Sequence, residues 1–241
     1  MGYVAVKGGT RAIEESIRRV KYERLKKGSI LKVSDIEAGM RGLIDQVMSE
    51  SSLYSEKLAA IAIKQSEGNS EEAVFLLRAY RSTLSRKHYT RTAESKDMHI
   101  ERRISASFKD IPGGQILGAS RDYTHRLIDF DLVDESKGES LKWLKKFEND
   151  ISSKVPRENL RNLPKVLDYL RAEGLIRSYK NDDRSPIDIT KKSIEFPTER
   201  SERLQILTRG QTGAVISLGY AALRGYGSKH PTVGELRVGN L

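Results

Sequence analysis

The sequence contains no cysteine in its 241 residues. Disulfide bonds, thiolate nucleophiles and zinc sites with thiolate ligands are therefore excluded. An iron–sulfur cluster held by cysteines of this chain is excluded for the same reason. Any chemistry that the chain performs must use carboxylates, histidines, hydroxyls or cationic side chains.

Long hydrophobic runs are also missing. The most apolar stretch, residues 214–223, is interrupted by Ser217 and Gly219 and is too short to cross a bilayer. We expect no signal peptide, because the apolar segment at residues 3–6 is short and ends at Lys7. We therefore expect a cytoplasmic protein with no membrane segment.

Aromatic residues are scarce, at 7% of the chain, whereas basic residues are abundant and give a net charge of +10. A basic chain indicates polyanionic partners, such as nucleic acid, phosphorylated small molecules or acidic proteins. Residues 1–33 carry +6 of this net charge. Such a cluster of charged side chains is also typical of a solvated helix, which is the alternative to a binding site. Few aromatic side chains are available for stacking on bases, and no helix-turn-helix or zinc-finger pattern occurs. Nucleic acid is therefore the less favoured partner.

Apolar periodicity and capping residues predict four helices in the first ninety residues. Their predicted first residues or caps are Thr10, Ser34, Ser55 and Ser70. Thr10 is interpreted as an N-cap, and Ser34 with Glu37 as a capping box for one helix that continues to Val47. Gly28 and Gly68 follow two of these helices, where glycine is preferred.

The remainder of the chain alternates between helical and undecided patterns. Residues 99–109 and 122–133 fit strands or short helices, and periodicity does not decide between them. Residues 134–160 are charged and are interpreted as irregular or helical around Trp143, and 111–114 as a turn. Further helices are predicted at 163–172, 199–208 and 211–223. The expected fold class is α+β, with a helix-rich N-terminal layer (1–95) and a mixed α/β region with short strands and Gly-rich loops (96–241).

The densest group of reactive side chains lies between Asp122 and Asp129. His125 is an acid or base near neutral pH, two carboxylates flank it, and Arg126 adds a fixed positive charge. On a helix Asp122, His125, Arg126 and Asp129 would share one face, and on a strand His125 and Asp129 would still do so. A structural role for this histidine is the alternative.

Cationic residues beside glycines suggest anion binding at three further places. Lys7 precedes two glycines and a predicted helix, although the phosphate-loop motif of nucleotide-binding proteins is absent. Arg102, Arg103 and Lys109 precede a Gly-Gly turn, and ion pairs with Glu101 and Asp110 are the alternative. Arg224 begins a basic, Gly-rich segment. The four histidines lack metal-ligand spacing, so we expect no metal site from this chain.

Several blocks of the sequence resemble the PhnI family, the I subunit of carbon–phosphorus lyase, and stand in the order expected of it. They are Tyr3–Gly9, Phe75–Arg81, Glu101–Ala106, Lys109–Gln115, Asp122–Leu127, Arg224–Gly227 and His230-Pro231. Long unusual strings such as Lys109–Gln115 are highly specific. The resemblance extends over essentially the whole chain.

The resemblance implies an enzyme subunit of the phosphonate-degrading system that uses ATP or GTP and a phosphonate. It implies a purine nucleosidase when the subunit is alone and, with partner subunits, a transferase that displaces adenine from ATP with the phosphonate. The partners would include a radical-SAM subunit that carries the iron–sulfur cluster and breaks the carbon–phosphorus bond. No cofactor is expected on this chain, and ATP is its substrate.

Family members continue past the residue that corresponds to Leu241, and their C-terminal portion supplies histidines to a metal site at a subunit interface. The sequence is therefore interpreted as lacking that portion, and no metal ligand is assigned. The alternative to an enzyme is a non-catalytic scaffold subunit of the complex, inactive because it is shortened.

The residue chemistry suggests roles in a reaction that passes through an oxocarbenium-like ribose. His125 is the candidate acid for the departing base, and Asp122 or Asp129 is the candidate carboxylate that stabilises the positive charge. The candidate ligands of the triphosphate are Lys7, Arg102, Arg103, Lys109, Arg126 and Arg224.

Overall fold

A computed structural model describes residues 7–89, 91, 93–94, 97–105, 121, 124–154, 168, 171–174, 177, 184–224 and 235–240. The chain forms two compact units, and each is made of two stretches of sequence. Unit 1 consists of Met1–His88 and Ser185–Val215, and unit 2 consists of Tyr89–Arg184 and Ile216–Leu241.

Helices and one small sheet make up the regular structure of the described residues. The helices are α1 (Gly9–Leu25), α2 (Val33–Gly39), α3 (Arg41–Ser51), α4 (Glu56–Gln65), α5 (Ser70–Ser82), α6 (Lys137–Lys154), α7 (Arg200–Gly210) and α8 (Thr212–Arg224). Two antiparallel strands, β1 (His99–Ser105) and β2 (Glu235–Asn240), form the sheet. The predicted α+β class is confirmed.

The core of unit 1 is formed by α2 to α5. Its buried side chains are Ile36, Ile44, Val47, Ala59, Ala60, Ala62, Ile63, Ala73, Val74 and Leu77. The α2 helix packs on α4, and α3 packs on both α5 and α7. The alanines of α4 leave room for close approach of the neighbouring helices, so that short helices still bury a continuous apolar core.

Side-chain caps begin two of the core helices. The hydroxyl oxygen of Ser55 accepts a hydrogen bond from the amide of Leu58 at 3.4 Å, which confirms the predicted cap of α4. The side-chain oxygen of Asn69 accepts from the amide of Glu72 at 2.9 Å, so the predicted helix that begins at Ser70 is capped by the preceding residue. Both bonds satisfy amides that have no partner within the helix.

Two predicted caps are wrong. Thr10 lies inside α1, because the helix begins at Gly9 and its N-cap residue is Gly8, whose φ of 113° favours glycine. Ser34 lies inside α2, which begins at Val33. In α2 the carboxylate of Asp35 accepts a hydrogen bond from the amide of Lys32 at 3.3 Å. The bond between residues three apart that a capping box requires is therefore formed two positions before the predicted pair.

The single helix predicted from Ser34 to Val47 is two helices. The amide of Met40 closes α2 by donating to the carbonyl of Ile36 at 2.9 Å, and the carbonyl of Met40 begins α3 by accepting from Ile44 at 3.0 Å. Between these bonds Met40 adopts φ −117° and ψ 38°, outside the helical region. The break after Gly39 turns the chain so that α2 packs mainly on α4 while α3 packs on α5.

The α1 helix is solvated along most of its length, and none of its side chains is buried. Arg18 and Glu15 form an ion pair of 2.9 Å on its surface, and Lys26 pairs with Glu23. Exposed pairs of this kind contribute little to stability.

The sheet of unit 2 shows that one of the undecided segments contains a strand. Within residues 99–109 the strand β1 forms, with Ile100 opposite Gly239 and Arg102 opposite Val238, so that Glu101 is the extra residue of a bulge. A Cβ atom on Gly239 would lie 1.9 Å from the carbonyl oxygen of His99, so only glycine fits there. The described part of residues 122–133 contains a 3₁₀ helix, Phe130–Val133, and no strand.

The α6 helix accounts for the segment around Trp143. Trp143 and Phe147 stack on its surface with ring centroids 4.9 Å apart and an interplanar angle of 11°. Both rings remain largely exposed, and no side chain described in this helix is buried.

Three predicted features lie wholly or largely outside the described residues. They are the strand at residues 3–6, the turn at 111–114 and most of the helix at 163–172. The helices predicted at 199–208 and 211–223 are confirmed as α7 and α8, with ends that differ by one or two residues. In the parts of the chain that the structure covers, no helix combines the length and apolar character needed to span a bilayer.

Candidate functional site

The segment around His125 is irregular backbone in unit 2. Residues 124–129 form neither a helix nor a strand, and Arg126 has a positive φ of 57°. The expectation that His125 and Asp129 share a face on either periodicity is therefore wrong, because neither periodicity is present. His125 is exposed, which leaves its imidazole accessible to a ligand. Asp122 lies outside the described residues.

Arg126 is positioned by the α8 helix. Its Nη2 donates a hydrogen bond to the hydroxyl oxygen of Tyr220 at 2.8 Å. The guanidinium carbon also lies 5.3 Å from the centroid of the Tyr220 ring, within the range of a cation–π contact. A fixed positive charge is thereby held one residue from His125, where it can orient an anionic group.

Asp129 stabilises the local backbone structure. Its Oδ1 accepts a hydrogen bond from the amide of Asp131 at 3.1 Å and so begins the 3₁₀ helix Phe130–Val133. The carboxylate is exposed, and its second oxygen remains available to solvent or ligand. Its catalytic role stays a prediction.

The predicted cationic residues are distributed over both units. Arg102 and Arg103 lie on β1, opposite Val238 and Arg237, and Arg224 is the last residue of α8; all belong to unit 2, as His125 does. Lys7 belongs to unit 1, where it is exposed and precedes the left-handed glycines that begin α1. Lys109 lies outside the described residues. The candidate residues described in unit 2 are therefore His125, Arg126 and Asp129, which are neighbours in the sequence, together with Arg102, Arg103 and Arg224.

Four arginines without an assigned role in the sequence analysis line one cavity of unit 1. Arg78 and Arg81 come from α5, Arg86 from the segment after it, and Arg209 from α7. The spacing of Arg78 and Arg81 is a helical signal, since residues three apart share a face. No local pattern connects them with Arg209, which is brought in by the packing of α7 on α3.

Histidine, aspartate and glutamate side chains do not gather in threes anywhere in the described part of the chain, so no group there fits a metal ion. On β1, Nε2 of His99 lies 3.8 Å from Oε1 of Glu101.

A family model described as bacterial phosphonate metabolism protein (PhnI) matches residues 2–241. The chain belongs to the PhnI family. The predicted resemblance is confirmed, and it covers nearly the entire sequence.

Curated relatives of the PhnI family agree with this match. The chain is 42% identical over 242 residues to a protein of Stutzerimonas stutzeri named putative C-P lyase subunit protein HtxH. It is 40% identical to proteins of Rhizobium meliloti and Escherichia coli, both named alpha-D-ribose 1-methylphosphonate 5-triphosphate synthase subunit PhnI.

The match with each of these PhnI relatives covers 99% of this chain but only part of the relative. The covered share is 64% of the Stutzerimonas stutzeri protein, 62% of that from Rhizobium meliloti and 65% of that from Escherichia coli. The chain therefore spans just under two thirds of the length of these proteins.

Proposed function

We propose that this chain is a subunit of the phosphonate-degrading carbon–phosphorus lyase system and takes part in displacing adenine from ATP with a phosphonate. The observation that carries the proposal is 40% identity, over nearly the whole chain, to two proteins named as synthase subunits. The product in the names of these two proteins is a ribose with methylphosphonate at carbon 1 and triphosphate at carbon 5. ATP already holds the ribose 5-triphosphate, so exchange of its base for the phosphonate yields that product; GTP would serve in the same way.

The exchange breaks the bond between C1′ of the ribose and N9 of adenine. The electron pair of that bond leaves with adenine, a phosphonate oxygen then bonds to C1′, and a proton must reach the departing base. Such displacements pass through an oxocarbenium-like state. In the proposal this chain supplies an acid and a carboxylate and needs no cofactor of its own.

His125 is the proposed acid, and Asp122 or Asp129 the proposed carboxylate. Support comes from the exposure of His125 and from the next residue in the sequence, Arg126, whose guanidinium donates a hydrogen bond to Tyr220. In this proposal Arg126 works with Arg102, Arg103, Lys109 and Arg224 of unit 2 to hold the triphosphate, since guanidinium and ammonium groups bind phosphate oxygens. The role of Lys7 stays a separate prediction from the sequence.

The test is chromatographic detection of adenine released from ATP by the purified chain, alone and with its partner subunits and methylphosphonate. We expect His125→Ala to lower the rate about 10²- to 10⁴-fold, as is usual when a general acid is removed. His88→Ala is the matched control, because His88 is an exposed histidine of unit 1. A rate for His125→Ala equal to that of the parent would contradict the acid assignment.

The second candidate is a scaffold that positions other subunits without catalysis. It is favoured by the apolar surface of unit 2, where Leu127, Ile128 and Phe130 are each more than three quarters exposed. Monomeric proteins rarely expose such contiguous apolar side chains. A folded chain that releases no adenine, with or without partner subunits, but binds those subunits would favour the scaffold. The partners in question are the other carbon–phosphorus lyase subunits, including the radical-SAM subunit.

A further inference from the structure

A cavity of about 340 Å³ in unit 1 has mostly arginines among its charged lining residues. Four arginines and one glutamate are its charged residues, together with Ser52, Thr190 and three isoleucines. The volume is at the lower end of that of small-molecule sites, about 300–1,000 Å³.

The fold explains part of this arginine cluster. Arg78 donates from Nε and Nη2 to the carbonyl oxygen of Glu50 at 3.2 and 2.8 Å, and Arg81 donates from Nη1 to the carbonyl of Ser51 at 2.8 Å. These carbonyls end α3 and have no partner within the helix, so the two arginines cap it.

The hydrogen bonds of Arg78, Arg81 and Arg209 go to neutral acceptors. Arg209 donates from Nη2 to the hydroxyl of Ser52, and neither it nor Arg81 forms an ion pair among the described residues. A guanidinium carries five N–H donors. Arg81 and Arg209 each use one of them on the described part of the protein, so both can donate further bonds to a ligand.

The nearby carboxylates are occupied by other partners. Glu50 Oε1 accepts from the side-chain amide of Gln46 and from the backbone amide of Thr212, both at 3.1 Å. Asp188 precedes the lining residue Ile189, but its Oδ1 accepts from both the amide and the hydroxyl of Thr190. Its Oδ2 lies 3.7 Å from Lys191. Neither carboxylate therefore forms an ion pair with Arg81 or Arg209 among the described residues.

The positive charges around the cavity are electrostatically unfavourable for Arg81. Burial, and then the positive charges of Arg78, Arg86 and Arg209, lower the pKa of its guanidinium from the usual value. Like charges that are brought together in this way destabilise one another, and a bound anion relieves the repulsion.

We propose that the cavity lined by Arg78, Arg81, Arg86 and Arg209 binds a phosphate-chain anion, either an inorganic polyphosphate or the phosphate chain of a nucleotide. The lining has four guanidinium groups and one carboxylate. A ligand with several negative charges therefore fits it better than a ligand with one carboxylate group. Arginine binds phosphate oxygens through two parallel hydrogen bonds, which suits a chain of phosphates that presents several such oxygens. None of these arginines belongs to the residues proposed above for adenine displacement.

Titration calorimetry of inorganic tripolyphosphate into the full 241-residue chain at low salt tests the site. We expect Arg81→Gln and Arg209→Gln each to weaken binding about tenfold to a hundredfold, because each removes charge-assisted hydrogen bonds. Arg200→Gln is the matched control, since Arg200 is exposed at the opposite end of α7 from Arg209. We expect this variant to bind within about twofold of the parent, because exposed distant charges are screened.

A variant with the opposite sign separates binding from folding. Glu50→Gln keeps an oxygen that can accept from Gln46 and Thr212 but removes the one negative charge of the lining. We expect it to strengthen tripolyphosphate binding about threefold or more, as electrostatic repulsion is lost. A partly unfolded variant cannot bind more tightly, and circular dichroism of each variant verifies the fold.

Titrations with ATP and adenosine distinguish the sources of the phosphate chain. If ATP and tripolyphosphate bind and adenosine does not, the site recognises the phosphate chain of the ligand. Much tighter binding of ATP than of tripolyphosphate would identify the ligand as a nucleotide. Absence of tripolyphosphate binding, equal affinity for sulfate and tripolyphosphate, or arginine variants that bind like the parent would overturn the proposal. Adenine release is measured separately, so that failure of one proposal leaves the other standing.

Discussion

At the scale of single residues, Glu50 connects three helices of unit 1. Its carboxylate accepts from Gln46 on its own helix and from the amide of Thr212 at the start of α8, while its carbonyl accepts from Arg78 of α5. The side chain is only 9% exposed, so these bonds form where water competes little. One residue therefore fixes the end of α3 and the beginning of a helix more than 160 positions later in the sequence.

Ile63 and Ile61 offer a matched pair for measuring the core of unit 1. Ile63 is 2% exposed in α4, whereas Ile61, in the same helix, is 41% exposed. We expect Ile63→Ala to lower the free energy of unfolding by about 2–5 kcal/mol, because it removes buried methylenes and leaves a cavity. Ile61→Ala should cost less than about 1 kcal/mol. Urea unfolding followed by circular dichroism gives both values, and equal losses would contradict this core assignment.

The core residues could largely be predicted from the sequence, because they follow helical periodicity. Ile44, Val47 and Leu77 are predicted on apolar stripes and are buried. Ile61 is apolar but exposed, because it lies two residues from both Ala59 and Ile63 and therefore on the opposite side of the helix. The arginine cavity could not be predicted, because Arg209 meets Arg81 only after helices far apart in the sequence have packed.

At the scale of elements, hydrogen-bonded caps determine where helices begin. Helix starts with a Ser or Asn side chain at the cap, as in α4 and α5, could be predicted within one residue. Those of α1 and α2 could not, because Gly8 caps by backbone conformation and Asp35 by reaching backwards to Lys32. The undecided segment at 99–105 became a strand only through pairing with β2, which is 130 residues away and leaves no periodic signal.

Asn69→Ala and Thr10→Ala compare a real cap with one that the sequence wrongly predicts. We expect Asn69→Ala to destabilise unit 1 by about 1 kcal/mol, because the amide of Glu72 loses its acceptor. Thr10→Ala should change stability by less than about 0.5 kcal/mol, since Thr10 lies within an exposed helix that alanine also favours. The measurement is the shift of the urea midpoint. A larger loss for Thr10→Ala than for Asn69→Ala would refute the assigned caps.

At the scale of the whole molecule, apolar burial is distributed unevenly between the helices. The α4 and α5 helices contribute buried side chains to the core of unit 1, whereas α6 of unit 2 exposes Trp143, Leu144 and Phe147. An isolated helix of this length is marginally stable in water. Protection of its backbone must therefore come from its own hydrogen bonds rather than from tertiary packing.

Hydrogen exchange measured by mass spectrometry on the purified chain should show this difference. We expect amides of α6 to exchange well before those of α4 and α5, because local opening of α6 exposes little additional apolar surface. Peptides of α1, which is likewise without buried side chains, provide an internal comparison. Protection of α6 as strong as that of α4 would contradict the expectation and show that its apolar side is covered in solution.

The division of unit 1 into two stretches of sequence has a consequence for its synthesis. The residues that complete it, Ser185–Val215, leave the ribosome roughly a hundred residues after Met1–His88. At about 5–20 residues per second, the first stretch waits for several seconds or more before α7 reaches α3. During that interval the carboxylate of Glu50 has no Thr212 amide to accept from, and the arginines of α5 have not yet met Arg209. The nascent chain is thus most exposed to chaperones and proteases before its last helices emerge.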